Sequence, residues 1–255
     1  MSQRIGIAGI SGRMGQLLVE EVEAAGAVLV GGTRRRYASQ SPVPIFTDVG
    51  ALAAASDIVI DFTRAGTAQA HAQALVGAGT PWVLGTSGLS AEEEAAVADA
   101  ARSIPVVYAA NFSAGVTLVL ALAERMAAAL PAAQYDAEIV EMHHRQKVDA
   151  PSGTAIGIGR AVAAGRGVDL AAVMQSGRDG HTGPRSEGAI GFAAMRGGQV
   201  VGEHSLLFAG ADEHIILTHK AFDRRTFAAG AVRAALWALG RPPGLYAMRD
   251  VLGLG

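Results

Sequence analysis

Short apolar runs alternate with helical stretches along the first half of the chain, and this alternation constrains the fold more than any other feature. The pattern predicts strands at 4–8, 27–32, 57–62, 82–85 and 106–110, with helices at 13–25, 67–77, 91–102 and 114–130. Strands that are apolar on both faces and are separated by helices form parallel sheets covered on both sides. The first half is therefore predicted to be an α/β domain with a Rossmann-like, doubly wound parallel sheet.

A different pattern in the second half predicts a second domain. A strand is expected at 136–144 and a helix at 152–164, followed by a glycine-rich loop at 165–187 and strands at 189–196, 200–208 and 214–220. Gly197 and Gly198 favour a hairpin between the first two of these three strands. Consecutive hairpin strands indicate a mixed or antiparallel sheet, and hence an α+β domain. A last amphipathic helix at 225–239 is expected to pack back on the first domain.

Composition and charge exclude several classes of partner and chemistry. The net charge is -2 and the pI is near 6.4, so no general basic field is present to bind nucleic acid. The absence of cysteine excludes disulfides, thiolate catalysis and cysteine zinc sites. The long apolar stretch 109–130 is interrupted by Asn111, Ser113, Glu124 and Arg125, which argues against a membrane span. The N-terminus lacks a signal-peptide pattern, so the cytoplasm is the expected location.

A glycine-rich turn follows the first predicted strand and opens the first predicted helix. It reads Gly9-Ile10-Ser11-Gly12-Arg13-Met14-Gly15. Glycine permits a tight turn and close approach of the backbone, while the helix N-terminus offers free N–H groups to a pyrophosphate. In a chain with 33 glycines a purely structural turn is the alternative. The position of the turn in a βαβ unit favours dinucleotide binding.

The end of the second predicted strand bears on which nicotinamide cofactor binds. An acidic residue at this place binds the ribose hydroxyls of NAD, whereas an arginine accepts the 2′-phosphate of NADP. The sequence has Arg34, Arg35 and Arg36 here and no acid. A solvated charged turn is the alternative. Because they follow this strand, the arginines favour phosphate binding and predict NADPH over NADH.

The densest group of reactive side chains lies at 141–155, where a predicted strand joins a helix. His143 and His144 are adjacent, and Arg145 and Lys147 follow them. A metal site is one interpretation, but adjacent strand residues point to opposite faces, and no cysteine or HExxH pattern supports it. A solvated basic loop is the second interpretation. The third is a catalytic loop for a small carboxylate substrate, in which a histidine donates a proton.

The helix that follows this segment adds to the third interpretation. Ser152, Gly153 and Thr154 begin the helix, so its backbone N–H groups form an anion site beside the histidines. Ser152 or Thr154 acting simply as an N-cap is the alternative. Together with the basic side chains, this helix start suits a substrate that carries carboxylates.

The segment 141–155 resembles the signature of the dihydrodipicolinate reductase family, also called the 4-hydroxy-tetrahydrodipicolinate reductase family. Further matching motifs follow in the family's order at 9–15, 61–63, 85–88, 109–113, 180–183, 202–204, 218–220 and 248–251. The resemblance therefore covers nearly the whole chain, from residue 4 to residue 251.

This resemblance implies an enzyme that reduces a cyclic imine dicarboxylate with NAD(P)H, on the path to diaminopimelate and lysine. Water is lost from 4-hydroxy-tetrahydrodipicolinate, the nicotinamide gives a hydride to the ring, and the enzyme protonates the adjacent carbon. It implies a dinucleotide-binding domain at 1–112 plus 224–255, and a domain for substrate binding and oligomerisation at 113–223. It also implies a homotetramer built by the sheet of the second domain.

Residue roles follow from the same resemblance. The proton donor would be His143, with Lys147 assisting protonation. The substrate carboxylates would be bound by His144, Lys147, Gly153 and Thr154, at the helix start that includes Ser152. No metal is expected. The cofactor residues would be Gly9, Ile10, Ser11, Gly12, Arg13 and Met14 in the turn, and Gly85, Thr86, Ser87, Ala109, Ala110, Asn111 and Phe112 on the nicotinamide side. Arg35 and Arg36 are added to this set by their position after the second strand, not by the resemblance.

The chain departs from the family pattern in one place. Many members carry an acidic residue and then an arginine after the second strand and use both cofactors, whereas Arg35 stands at the acidic position here, before Arg36. This strengthens the prediction of NADPH, with NADH as the alternative. Two other functions stay open: a different two-domain nicotinamide oxidoreductase acting on a small carboxylate or imine, and a nucleotide-sensing protein without turnover, which would need neither His143 nor Lys147.

Overall fold

The computed structural model describes residues 2–34 and 43–254, which form two compact units. The first unit comprises residues 1–114 and 224–255, and the second comprises 115–223. In chain order the first unit contains β1 (Arg4–Ala8), α1 (Arg13–Ala24), β2 (Val28–Thr33), α2 (Val49–Ala55), β3 (Ile58–Asp61), a 3-10 turn (Ala65–Thr67), α3 (Ala68–Ala78), β4 (Trp82–Leu84), α4 (Ala91–Ala100) and β5 (Pro105–Tyr108).

Helix α5 (Ala114–Ala129) begins at the boundary between the units. The second unit continues with β6 (Asp136–His143), α6 (Gly153–Gly165), α7 (Leu170–Val173), β7 (Met174–Ser176), β8 (Ile190–Arg196), β9 (Gly202–Ala209) and β10 (His214–Ala221). The chain then returns to the first unit with α8 (Arg225–Ala238), β11 (Gly244–Tyr246) and α9 (Met248–Val251).

The first unit is built on a parallel sheet of six strands, in the order β11-β5-β4-β3-β1-β2. The order reverses at β1, because β2 lies on one side of it and β3 on the other. In such sheets ligands bind beside the carboxyl ends of the strands, next to the point of reversal. The residues that follow Ala8, the last residue of β1, therefore lie where a nucleotide would bind.

Helices cover both faces of this sheet, as its fully buried strands require. On one face Ile5, Ile7, Ile58 and Ile60 share a core with residues of α1 and α8, and on the other Val59, Trp82 and Leu84 share a core with residues of α2, α3 and α4. Each such aliphatic side chain contributes about 1.5–3 kcal/mol when it is removed from water. The predicted doubly wound α/β domain is confirmed.

The second unit has a mixed sheet of five strands in the order β10-β9-β6-β8-β7, so the predicted α+β class is confirmed. The predicted hairpin between the strands flanking Gly197 and Gly198 is wrong. Strand β6 lies between β8 and β9 and pairs with both, parallel to β8 and antiparallel to β9. The segment from Gly197 to Val200 instead crosses the end of β6, where Gly197 N–H donates to His143 O and His144 N–H donates to Val200 O.

The core of the second unit lies on one face of the mixed sheet. Ile139, Phe192, Leu206 and Phe208 project from three strands and share a core with α5 and α6, which contribute Val119, Ala123, Ile158 and Val162. Alternation along β6 places Glu141 and His143 on this same buried face. The strand that carries the candidate acid therefore lies in the middle of the sheet.

Several short elements were not predicted. Helix α2 and strand β11 were missed, and the expected loop at 165–187 contains α7 and β7. Elements of three to seven residues are too short to show a clear hydrophobic period. Along the ranges that the structure describes, no helix is both long enough and apolar enough to cross a membrane.

Candidate active site

The glycine turn after β1 has the geometry that a pyrophosphate requires. Gly9 has φ +82, a conformation that favours glycine. Its N–H and that of Ile10 donate to Thr33 O at the end of β2, at 3.1 and 3.0 Å. A Cβ at Gly15 would collide with the carbonyl oxygens of Gly9 and Ile10, so the first turn of α1 approaches the loop as only glycine allows.

The start of α1 leaves N–H groups available to a ligand. Its N-cap is Gly12, which has no side chain to cap the first turn. Ser11, Gly12 and Arg13 are exposed, whereas the Ile10 side chain is buried in the core and can contribute only its backbone. Together with the dipole of a twelve-residue helix, these groups fit an anionic pyrophosphate.

The predicted contact with a 2′-phosphate falls on Arg35 and Arg36, which lie outside the described residues. Strand β2 ends at Thr33 beside the glycine turn, so the chain leaves the sheet at the place where that contact was expected. The preference for NADPH stays a prediction.

The segments that follow β4 and β5 bring the remaining predicted cofactor residues to the same sheet edge. A Cβ at Gly85 would strike the ring of Phe62, and that ring lies 5.7 Å from the ring of Phe112, centroid to centroid. Thr86 is buried, and its hydroxyl finds no hydrogen-bond partner among the described residues. A buried orphan hydroxyl at this edge fits a polar group of a ligand. Ser87 and Ala110 are exposed, and Ala109 is half-buried.

A buried carboxylate holds the loop after β3. Asp61 accepts from the N–H and the hydroxyl of Thr63, at 2.9 and 2.6 Å, and lies 2.7 Å from His71 Nδ1. This cluster positions the turn that carries Phe62 against Gly85. Asp61 to Thr63 matched a family motif in the sequence, but no role in the site was predicted for them.

In the second unit the candidate proton donor is held by a carboxylate from its own strand. His143 ends β6, and its Nδ1 lies 2.6 Å from Glu141 Oε2. Glu141 also accepts two hydrogen bonds from the Arg196 guanidinium, each 2.8 Å long, and one of 3.1 Å from the Ser152 N–H. The Glu141 side chain is fully buried, so all of these bonds are shielded from water.

Glu141 is ionised in this environment. Burial acts to raise the pKa of its carboxyl, but the hydrogen bonds from Arg196, His143 and the Ser152 N–H outweigh burial and hold the pKa below its ordinary value of 4.5. An ionised carboxylate can only accept hydrogen bonds, so the proton between the two groups belongs to His143 Nδ1. The atom of His143 left for chemistry is therefore Nε2.

The basic residues after β6 lie on a loop that is tied down at both ends. His144 N–H binds Val200 O at 2.8 Å, and Lys147 Nζ lies 2.8 Å from Asp149 Oδ1. His144 is half-buried, and the loop between Arg145 and Ala150 is mostly exposed. Within residues 2–34 and 43–254, no three His, Asp or Glu side chains form a group that could hold a metal ion.

Ser152 caps α6. Its hydroxyl accepts from Ala155 N–H at 3.2 Å and lies 2.9 Å from His204 Nε2. Because Ser152 is buried, its hydroxyl faces the interior, whereas Gly153 is exposed and Thr154 is half-buried. The N–H groups of the first turn of α6, rather than the serine hydroxyl, are the part of this helix start that can meet an anion.

A second buried histidine completes the cluster. His204 on β9 lies opposite Glu141 on β6, and its ring packs edge-on to the ring of His143, with the centroids 5.1 Å apart. Burial above all, and then the charge of His143, lowers the pKa of His204 to about 4. His204 is therefore neutral at physiological pH, and its ring lies against the ring of the candidate proton donor.

Sequence reasoning located His143 but missed three of its neighbours. Glu141 could have been found, because residues two apart on a strand share a face. His204 lies in a matched family motif at 202–204, but nothing in the sequence places it beside His143. Arg196 carried no signal. Both reach the cluster only through the insertion of β6 between β8 and β9.

Two family models match the chain. The N-terminal part of dihydrodipicolinate reductase matches residues 3–112, and the C-terminal part matches residues 115–252. A protein of Granulibacter bethesdensis named 4-hydroxy-tetrahydrodipicolinate reductase is 68% identical, with 99% of this chain and 98% of the relative covered. One of the same name from Acidiphilium cryptum is 64% identical, with 98% of each covered.

A solved structure agrees with these relatives. Dipicolinate-bound dihydrodipicolinate reductase from Paenisporosarcina sp. TG-14 superimposes with a TM-score of 0.80 at 25% identity, with 98% of this chain and 99% of that chain covered. Fold and site together define an oxidoreductase that joins a Rossmann-type pyridine-nucleotide domain to a second α+β domain. More particularly, the chain belongs to the dihydrodipicolinate reductase family, and the resemblance seen in the sequence is confirmed.

The buried state of His204 makes stability depend on pH. Between about pH 6.5 and about pH 4 the unfolded chain binds a proton at this residue and the folded chain does not. Acidification through this range should therefore lower the free energy of unfolding, by on the order of 2 kcal/mol. The measurement is urea denaturation from about pH 7 down to about pH 5, above the range in which Glu141 titrates.

The control for this prediction is a second histidine. His204→Asn should flatten the fall in stability, whereas His181→Asn, at an exposed loop position, should leave it unchanged. Equal slopes in the wild type and in His204→Asn would contradict the assignment.

Proposed function

We propose that this chain reduces 4-hydroxy-tetrahydrodipicolinate to tetrahydrodipicolinate, with loss of water, using NADPH in preference to NADH. The reaction belongs to diaminopimelate and lysine biosynthesis and would take place in the cytoplasm, which cell fractionation would test. Relatives 68% and 64% identical carry the name of this reductase. The observation that carries the proposal is the position of His143. Glu141 holds its ring beside the start of α6 and the loop that carries Lys147.

The first unit would hold the cofactor. The N–H groups at the start of α1 and the Gly9 turn fit its pyrophosphate, and the orphan hydroxyl of Thr86 fits a polar group on its nicotinamide side. When bound, the reduced nicotinamide supplies a hydride. Gly85, Asn111 and Phe112 would line that end of the site.

The second unit would bind the substrate through its carboxylates. The exposed Gly153 and the half-buried Thr154 lie in the first turn of α6, whose N–H groups bind anions. Lys147 would exchange its ion pair with Asp149 for one with a substrate carboxylate. His144, at the root of the same loop, would contact the other carboxylate.

His143 would protonate the substrate carbon adjacent to the one that accepts the hydride, with assistance from Lys147. Its Nδ1 is occupied by Glu141, so Nε2 would deliver the proton. Gly202 keeps the space beside that nitrogen open, because a Cβ there would lie 3.0 Å from Nε2. The geometry fixes one nitrogen of the ring and turns the other away from Glu141.

A coupled assay tests the reaction and the cofactor preference. The substrate is made in situ from pyruvate and aspartate semialdehyde by the preceding synthase, and oxidation of NADPH or NADH is followed by absorbance. We expect synthase-dependent oxidation, faster with NADPH. In the Arg35→Ala/Arg36→Ala variant the KM for NADPH should rise while that for NADH, which lacks the 2′-phosphate, stays unchanged. A clear preference for NADH in the wild type would contradict the arginine argument.

The same assay tests the site. His143→Gln should lower kcat by something like the 10²–10⁴-fold typical of general acids, with little change in NADPH affinity. Lys147→Ala should lower both kcat and the affinity for substrate. Binding of NADPH, measured by fluorescence, is the control, since both residues lie in the second unit. Full activity in both variants would refute the assignment.

We also propose a homotetramer assembled through the face of the mixed sheet opposite its core. Val140, Met195 and Ile216 on that face are 36%, 49% and 62% exposed. Exposed apolar side chains on three strands of one sheet face fit a second copy of the same sheet. Light scattering should give a mass of four chains, and Ile216→Lys should reduce it. Leu245→Lys, at a 51% exposed strand position of the first unit, is the control and should leave the mass unchanged.

A further inference from the structure

We propose that Glu141 is a positioning residue that sets both the orientation of His143 and the place of the loop that carries Lys147. The inference rests on the proposed function of His143 and deepens it. It starts from one carboxylate whose two oxygens are shared among three segments: β6 itself, the end of β8 and the start of α6.

Burying a carboxylate is unfavourable unless its hydrogen bonds are satisfied, and a buried ion pair adds little stability over an apolar pair of the same volume. Glu141 is fully buried, and the side chain of its partner Arg196 is only 21% exposed. Packing alone therefore gives no reason for a charge at this position. The reason lies in what the carboxylate holds.

The first group it holds is His143. The 2.6 Å bond to Nδ1 fixes the ring and its tautomer, so Nε2 points away from Glu141 and lies beside Gly202. The negative charge also balances the positive charge that the ring carries when both of its nitrogens are protonated. An oriented imidazole with a buried carboxylate behind it is a general arrangement for proton transfer.

The second group is the loop from His144 to Pro151. Arg196 donates to the carboxylate and also, at 2.6 Å, to the carbonyl oxygen of Asp149. The Ser152 N–H, at the end of the loop, donates to Glu141 Oε1. Because Lys147 pairs with Asp149, the same carboxylate sets the place of the acid and of the nearby lysine.

Glu138 provides a matched control on the same strand. It also forms a two-pronged pair with an arginine, Arg178, at 3.0 and 2.8 Å, and accepts from Arg185 at 2.8 Å. It lies on the opposite face of β6 and does not contact His143. Glu138→Gln therefore removes the same charge from a comparable ion pair. Because Glu138 lies on the face proposed for the tetramer contact, the mass of the assembled variant is compared with that of the wild type by light scattering.

The experiment compares Glu141→Gln, Glu138→Gln and the wild type in the coupled assay over a range of pH. In Glu141→Gln we expect kcat to fall by roughly 10- to 100-fold. This is less than the loss expected when the general acid itself is removed, because His143 is still present. The shape of the pH profile should also change in Glu141→Gln, because the buried charge 2.6 Å from the His143 ring is removed. Glu138→Gln should keep the wild-type kcat and profile, and NADPH affinity should be unchanged in both variants.

A second measurement does not depend on turnover. Nitrogen NMR of the imidazoles should show His143 protonated at Nδ1 in the wild type and in Glu138→Gln, and a mixture of tautomers in Glu141→Gln. If Glu141→Gln does not fold, Glu141→Asp takes its place. This variant keeps the charge but withdraws the carboxylate by one methylene, so kcat should fall while the pH profile keeps its wild-type shape.

Two results would overturn the inference. One is an unchanged kcat and pH profile in Glu141→Gln. The other is a fall in kcat in Glu141→Gln with an unchanged pH profile and an unchanged His143 tautomer, which would mark a structural role only. A wild type without turnover would instead refute the proposed function, and the NMR measurement would still decide whether Glu141 fixes the ring.

Discussion

Parallel strand pairing is the constraint on which the first unit and its nucleotide site depend. The connection between two parallel strands must cross back over the sheet, so helices cover both of its faces. For the same reason the carboxyl ends of all the strands lie at one edge. The turn after β1 and the segments after β4 and β5 therefore meet at one edge, beside the point where the strand order reverses. Given this arrangement, the site needs only glycines where backbones approach closely and a few polar groups at strand ends.

Much of this fold could be predicted from the sequence, because buried strands leave a strong apolar signal in the chain. Strands β1 to β5 of the first unit were found in this way, whereas β11 (Gly244–Tyr246), which has no fully buried residue, was missed. The error at Gly197 and Gly198 has a different cause. A glycine pair reports only that the chain turns, and the identity of the neighbouring strand is decided by β6, far away in the sequence.

The residues of the candidate site also fall into two groups: those that the sequence indicates and those that only strand pairing places there. His143 and Lys147 stand out in the sequence because they lie close together in an unusual cluster. Arg196 does not stand out, and the motif that contains His204 does not show its neighbours, since each of the two reaches that cluster only by strand pairing. Glu141 lies between these cases: its place two residues before His143 was readable, but its burial and its four hydrogen bonds depend on elements that fold against it. The sequence therefore shows reactive residues that lie close together along the chain. It does not show the residues that strand pairing brings next to them.

The central position of β6 separates a rigid half of the proposed substrate site from an adaptable half. Both backbone edges of the strand are hydrogen-bonded, so the candidate acid at its end cannot shift without disturbing β8 and β9. The loop with Lys147 is exposed, and its Val148 side chain is almost completely in solvent. An inhibitor should therefore tolerate changes in the groups that face the exposed Val148 more readily than changes around its reacting carbon.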